Sequence, residues 1–275
     1  MDQSCGRRVP THPSTTLVFV HGFTCDGSDW AAQLSFFGRQ CPVWALDLPG
    51  HGHTPADERW TLEALAESLW QQLDAFGIEH AALVGHSMGC RVILEAASQR
   101  PSSVAALMLV DGSRNAPAGP RQEAQAMALE AMQMDGFKHF LRSFFEAMFT
   151  DRMAAHQRRA ILERSTRMRA EDARALRASM TGWDAAVFES ALGQLARYAI
   201  SLSVIQTTRT DASGRHALAA GESMPYLDNI SAIVPQADIC VMPGQGHFPQ
   251  IESPEDFNRL LQPFVNQHCL MKLSK

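Results

Sequence analysis

Gly85, His86, Ser87, Met88 and Gly89 carry the sharpest chemical signal in the sequence, a serine between two glycines. They follow the apolar run over residues 81–84 and open a stretch of helical spacing, so the serine stands on a tight strand-to-helix turn. Such a turn holds its residue in a strained backbone conformation that pushes the hydroxyl into the cleft. The glycines leave room for the chain that crosses behind it, and the helix start adds amide donors and a positive dipole end. The chemistry this permits is nucleophilic attack by Ser87 on an acyl carbon. The bland alternative is a structural glycine turn that happens to contain a serine.

A hydroxyl is a weak nucleophile near neutral pH, so a base must take its proton. His247, in the glycine-containing stretch PGQGHFPQIESPEDF, follows the last strand-like run and is the best placed of the 11 histidines, most of which lie in helical stretches or near the termini. A loop histidine is otherwise most often just solvated. Attack on an acyl carbon also develops negative charge on oxygen, which two preorganised amide donors would stabilise. The backbone N–H groups of Phe23, after the first strand-like run, and of Met88 are the candidates. The histidines show no HExxH or comparable ligand spacing, so neither a metal nor an organic cofactor is expected.

The elements that must position these groups are read from apolar patterning. Residues 17–20, 43–46, 81–84 and 106–110 are short, nearly continuous apolar runs, the mark of buried strands. Leu62, Leu65, Leu69, Leu73 and Phe76 recur at intervals of three and four, one face of a helix, with Gly77 where a C-terminal stop belongs. A second helix runs over residues 91–99 and is closed by Pro101. Strand, helix, strand order of this kind predicts a parallel sheet with right-handed crossovers, which binds ligands at the carboxyl ends of its strands. From about residue 117 to 198 strand signals vanish and Met, Phe, Ala, Arg and Glu recur at helical spacing. Strand character returns at 203–206 and 238–242, before a closing helix over 254–264. The expected organisation is a core α/β domain in two parts, 1–116 and 199–275, interrupted by a helical cap over 117–198.

Composition bounds the rest. With 45 % apolar and 19 % charged residues the chain has ordinary globular usage, and no run approaches the length of a membrane span. No apolar stretch follows the basic residues near the amino terminus, so a secretory signal is not expected and a cytoplasmic protein is. Cys5, Cys25, Cys41, Cys90, Cys240 and Cys269 form no CxxC pair and read as reduced thiols. A net charge of −5 at pH 7 without a dominant basic stripe argues against a nucleic-acid partner. The arginine-rich stretch over 152–177 is interspersed with Glu163, Glu171 and Asp172 and reads as a solvated helix face. The partner expected is a small apolar molecule, with a homodimer left open as the assembly.

The motifs taken together, HGF at the first strand, DLPGHG over 47–52, GHSMG at the serine and GHFPQIESP at the end, resemble the α/β-hydrolase superfamily over nearly the whole chain. The resemblance implies an α/β-hydrolase fold with a helical cap, but says little about substrate. It also leaves the acid that should orient the imidazole open between two residues. Relatives usually carry it in the loop after the strand that follows the cap, which nominates Asp211. That loop lacks the usual preceding glycine, and the stretch over 211–235 is longer than a simple crossing needs. Other relatives, including dehalogenases and cofactor-independent quinolone dioxygenases, place the acid after the strand behind the nucleophile's helix, which nominates Asp111. The second layout is preferred here, with Asp211 as the alternative.

The resemblance implies hydrolysis of a small apolar carboxylic ester through an acyl-enzyme on Ser87, with lactones, thioesters and certain carbon–carbon bonds within reach of the same groups. Two alternatives stand beside it. One is a quinolone-type ring-opening dioxygenase, although Phe23, Thr24 and Cys25 occupy the stretch where such enzymes carry Trp and His. The other is a non-catalytic ligand receptor on the same fold. Seven methionines between Met127 and Met180, with Phe137, Phe140, Phe144, Phe145 and Phe149, are expected mainly to pack the cap, a few of them lining an apolar pocket.

Overall fold

In a computed structural model of the chain, residues 15–270 are described apart from 57, 133–135 and 212–213, which leaves Cys5 and Met134 outside the described residues. The described strands are β1 (Thr16–Val20), β2 (Val43–Leu46), β3 (Ala81–His86), β4 (Val104–Val110), β5 (Ser201–Gln206), β6 (Thr208–Asp211), β7 (Gly214–Ala217) and β8 (Asp238–Val241). Six of them form one parallel sheet in the order β2-β1-β3-β4-β5-β8, and β6 and β7 pair separately as an antiparallel hairpin. The expected strands are all present, and β5 begins at Ser201, two residues before the predicted start.

The strands read as continuous apolar runs because helices cover both faces of a parallel sheet. Side chains alternate between those faces. Val18, Val20, Leu83, Leu107 and Leu109 pack toward α2 (Leu62–Ala75), α3 (Met88–Gln99) and α8 (Phe188–Arg197). Leu17, Phe19, Ala82, Val84 and Met108 face the opposite layer, where α1 (Ala31–Phe37) supplies Phe37 and α11 (Pro254–His268) supplies Phe257, Leu261, Phe264 and Val265. In α2, Thr61 caps the start by accepting from the Ala64 N–H at 3.2 Å, and the chain leaves through Gly77 at φ 69°. Both ends are therefore satisfied as the residue types predict. The closing helix runs to His268, past the expected end near Phe264.

Between β4 and β5 lie α4 (Arg121–Ala131), α5 (Phe137–Glu146), α6 (Ala155–Ser165), α7 (Ala170–Ala186) and α8. This segment is tied to the sheet layers by buried polar contacts as well as apolar packing. Arg91 of α3 forms a bidentate pair with Asp184 of α7, with Nε and Nη2 each 2.7 Å from a carboxylate oxygen and both side chains almost fully buried. The Trp183 indole donates to Glu95 at 2.9 Å, and Arg164 of α6 pairs with Asp26 and Asp29 beyond β1. After the hairpin come α9 (Pro225–Ile233), β8 and α10 (Pro249–Glu252). The hairpin and α9 fill the stretch over 211–235 that looked too long for a crossing. Among the described residues no helix is long and apolar enough to cross a membrane.

The strand order places the site. From β1 the chain moves outward to β2, then returns to the other side of β1 as β3. A crevice opens where the order reverses, at the carboxyl ends of β1 and β3. Phe23 and Ser87 follow those two ends.

Candidate active site

Ser87 stands between β3 and α3 with φ 54° and ψ −108°, outside the regions that ordinary side chains prefer. The strain is over-determined by its surroundings. The Ser87 N–H donates to the Val110 carbonyl at 3.0 Å, and the flanking glycines permit contacts that no side chain would. A Cβ on Gly85 would lie 2.4 Å from the Gly89 carbonyl oxygen, and one on Gly89 would lie 2.4 Å from that of Val20. Helix, turn and the end of β1 can approach this closely only with hydrogen at both positions.

His247 Nε2 lies 2.9 Å from Ser87 Oγ, and its Nδ1 lies 2.5 Å from Asp111 Oδ2. The carboxylate accepts a hydrogen bond from Nδ1–H, so Nε2 carries the lone pair that faces the serine. Ser87 is the one member of the three that reaches solvent, while His247 and Asp111 are buried. Asp111 follows β4 at φ 43°, a left-handed conformation that aspartate tolerates better than most residues. Its Oδ1 accepts from the N–H groups of Thr207 at 2.9 Å and Thr208 at 2.7 Å and from the Gln206 amide at 3.0 Å. Its Oδ2 accepts from the Thr208 hydroxyl at 2.6 Å besides His247. Burial alone would raise its pKa, but the bond and charge of His247, the Arg215 charge and the Thr208 hydroxyl outweigh it and lower the carboxyl to about 2.

Asp211, the alternative acid, ends β6 with 40 % of its side chain exposed. It pairs with Arg209 on its own strand and approaches His216 Nε2 at 3.4 Å across the hairpin. The structure does not bring it to His247. What the hairpin brings instead is a cation: Arg215 of β7 places Nη1 2.6 Å from Thr208 Oγ1, 3.4 Å from Asp111 Oδ2 and 3.1 Å from His247 Nδ1. Nδ1–H donates to Asp111, so the contact between Arg215 and the imidazole is an approach of two donors rather than a hydrogen bond. Thr208 relieves it by accepting from Arg215 and donating to Asp111. Burial, then the Arg215 charge, lower the His247 pKa to about 4 against the raising effect of Asp111.

Further residues hold the base and the amides in place. His86 Nε2 donates to the His247 carbonyl at 2.6 Å, and the two rings lie 4.7 Å apart. Burial, followed by the neighbouring His247, lowers the His86 pKa to about 3, so the ring is neutral near pH 7. Glu252 accepts from the Gly246 N–H at 2.9 Å and from the Thr150 hydroxyl at 2.6 Å, which fastens the loop before His247 to the helical segment. At the other wall, His21 accepts from the Leu48 N–H at 3.1 Å through Nε2, and its Nδ1 donates to the Gly22 carbonyl at 2.8 Å. That pair of bonds sets the turn that carries Phe23. Among the described residues neither the Phe23 nor the Met88 N–H has a protein acceptor, as expected for the first turn of α3 in the case of Met88. Both are available to an oxyanion.

Ser87, His247, Asp111, Phe23 and Met88 were legible as candidates; Arg215, Thr208, Gln206, His86 and Glu252 were not singled out. The one available signal was the polar stretch TRTDASGRHA, in which a Ser-Gly turn signal stands between two short polar arms. Among the described residues no group of three His, Cys, Asp or Glu could hold a metal ion, and the five described cysteines are free.

The α/β-hydrolase fold family model matches residues 15–254. A dihydrolipoyllysine-residue acetyltransferase component of the acetoin cleaving system from Pseudomonas putida is 29 % identical over 263 residues, 92 % of this chain and 64 % of that protein. A lipase from Mycobacterium tuberculosis is 37 % identical over 111 residues, 40 % of this chain and 42 % of that protein. The chain thus spans less than two thirds of the length of these curated relatives. A thermophilic esterase from Thermogutta terrifontis superposes with a TM-score of 0.70 at 21 % identity, covering 94 % of this chain and 92 % of that one. With a parallel six-stranded sheet, a serine on a strained turn after β3 and a family match over most of its length, the chain belongs to the α/β-hydrolase fold family.

Proposed function

We propose that the protein hydrolyses small apolar carboxylic esters through an acyl-enzyme on Ser87. The observation that carries this reading is the continuous chain Ser87 Oγ, His247 and Asp111, with separations of 2.9 Å and 2.5 Å. The lipase and esterase among its relatives support the same reaction class.

Ser87 Oγ attacks the ester carbonyl while His247 Nε2 takes its proton, and Asp111 stabilises the resulting imidazolium through Nδ1. The Phe23 and Met88 N–H groups donate to the oxyanion of the tetrahedral intermediate. Collapse of that intermediate expels the alcohol, which takes the proton from Nε2 and leaves the acyl group on Ser87. Water then gives a proton to His247 and attacks the acyl carbon, and the acid departs as Ser87 regains its proton. An apolar cavity of about 470 Å³ lies between α4 and α7, walled in part by Ala118, Met127, Met132 and Phe140, and none of Ser87, His247, Phe23 and Met88 is among its walls.

The test is a panel of p-nitrophenyl esters from acetyl through dodecanoyl. Turnover that peaks at short or middle chain lengths is the expected result. Failure to release p-nitrophenolate from any of them would favour a ligand receptor, and consumption of dioxygen with a hydroxyquinolone would favour ring-opening chemistry.

A pH profile tests the part given to Arg215. Neutral imidazole is the base, so activity falls as pH drops through the His247 pKa, near 4. Arg215 together with Arg91 disfavours the imidazolium, whereas Asp111 favours it and His86 faces the ring uncharged. Removing the Arg215 charge in Arg215→Met therefore raises the His247 pKa, and the acid limb of kcat/KM moves up by about one pH unit. An acid limb that stays in place would show that Arg215 acts only as a hairpin strut.

A further inference from the structure

A cavity of about 420 Å³ beside the Asp111 carboxylate has two arginines in its walls and no Asp or Glu. It lies between the loop after β4, the β6–β7 hairpin and the start of α9, and its polar walls include Arg114, Arg215, Thr208 and Asn229. The loop and α9 meet closely, since a Cβ on Gly112 would lie 2.2 Å from the Tyr226 hydroxyl. Three of the polar side chains keep hydrogen-bonding capacity that the protein does not use. Asn229 Oδ1 and Arg114 Nη2 are buried, and among the described residues neither has a partner. The rest of Arg114 is fixed: Nε donates to the Ala116 carbonyl at 2.9 Å, Nη1 to Glu189 at 2.8 Å, and the guanidinium lies 5.3 Å over the Phe188 ring. Arg215 engages Thr208 and Asp111 through Nη1, and among the described residues no acceptor takes a hydrogen bond from its Nε or Nη2.

A buried donor or acceptor without a partner costs stability. A wall that keeps guanidinium nitrogens and an amide oxygen unpaired therefore fits a ligand that brings both an anion and a hydrogen-bond donor. Ala116, Pro117, Met224 and Pro225 supply apolar wall between these groups, which suits a short carbon body. Guanidinium matches a carboxylate in particular, because its planar fork takes the two oxygens through parallel bonds.

Arg215 belongs to this cavity and to the reacting centre alike. Its Nη1 lies 3.1 Å from His247 Nδ1, and Thr208, also in the cavity wall, donates to Asp111 at 2.6 Å. The imidazolium that forms as Ser87 attacks is favoured by Asp111, opposed by Arg215 and Arg91, and faced by an uncharged His86. A carboxylate held on Arg215 offsets part of the opposing charge.

We propose that this cavity binds a small hydroxycarboxylate, its carboxylate paired with the cavity arginines and its hydroxyl donating to Asn229, and that occupancy raises turnover at Ser87. The effect on turnover rests on the hydrolase reading above, whereas the binding does not.

The test titrates 3-hydroxybutyrate and butyrate, a pair that differs in one hydroxyl, into protein phosphonylated on Ser87, so that the nucleophile and the oxyanion amides are already occupied. 3-Hydroxybutyrate should bind about three- to tenfold more tightly than butyrate, and Asn229→Leu should erase that preference. Arg215→Met should weaken both acids at least about tenfold, while Arg215→Lys keeps part of the affinity. On a p-nitrophenyl ester, saturating 3-hydroxybutyrate should raise kcat about threefold in the unaltered protein and leave that of Arg215→Met unchanged. Equal binding of the two acids, binding indifferent to residues 215 and 229, or tighter binding of inorganic phosphate than of either acid would overturn the site. Binding that leaves kcat unchanged would overturn its link to the triad. If no ester is turned over and Ser87 resists the phosphonate, the hydrolase reading falls, and titration of the unlabelled protein and its variants still decides whether the cavity holds a hydroxycarboxylate. Circular dichroism would recognise a misfolded Arg215→Met, leaving Arg215→Lys and Asn229→Leu to decide.

Discussion

Replacing Asp111 with alanine should lower kcat by about ten-thousand-fold, whereas Asp211→Ala should leave it within about twofold. The size of the first effect follows from what Asp111 does for His247. Without its carboxylate the imidazole loses the acceptor that fixes the Nδ1 proton, and the cation formed during attack loses its counter-charge. The effect is enlarged by Arg215, whose guanidinium lies 3.1 Å from Nδ1 and disfavours the imidazolium once no carboxylate opposes it. Asp211, by contrast, is a partly exposed hairpin residue paired with Arg209, and exposed pairs of this kind contribute little. Steady-state kinetics of the two variants on one p-nitrophenyl ester separate the assignments. A large loss in Asp211→Ala with a small one in Asp111→Ala would place the acid on the hairpin after all.

That these two aspartates looked alike in the sequence has a physical cause. Each follows a strand-like run on the carboxyl side of the same sheet, and a short-range pattern says no more than that. What distinguishes Asp111 is the set of donors around it, and most of these come from β5 and the residues after it, about a hundred positions later in the chain. Two are main-chain N–H groups, which no residue type advertises. Ser87 and His247 were legible for the opposite reason. The turn that holds the serine needs glycine at two defined offsets, and the contacts that demand them, Gly85 against Gly89 and Gly89 against the end of β1, lie within the strand–turn–helix unit or beside it.

The hairpin escaped notice because its arms lack the alternation of apolar and polar residues that marks a half-buried strand. Thr208, Arg209, Thr210 and Asp211 face Gly214, Arg215, His216 and Ala217, so nearly every position is polar. Its order comes from backbone pairing and from the polar cluster at Asp111 rather than from burial of an apolar face. The Arg91–Asp184 clamp was hidden in another way. Its partners stand 93 residues apart, and the arginine-rich stretch read as a solvated face includes Arg164, which is mostly buried against Asp26 and Asp29, and Arg177, which lines a cavity. Periodicity locates such helices, but the tertiary arrangement decides which of their charges reach water.

Ser87→Ala should lower kcat on any ester by about a million-fold, since removing the nucleophile leaves only binding and the oxyanion amides to act on the substrate. The fold should tolerate the change, because the Ser87 side chain is held mainly through His247 and the strained backbone conformation is imposed by its neighbours. The most direct measurement is stoichiometric labelling with a p-nitrophenyl phosphonate, followed by mass spectrometry of the digested protein. One p-nitrophenolate should be released per chain, the phosphonyl mass should appear on the peptide containing Ser87, and ester turnover should vanish in proportion. Ester turnover that persists after Ser87 is fully labelled, or that survives in Ser87→Ala, would contradict the assignment.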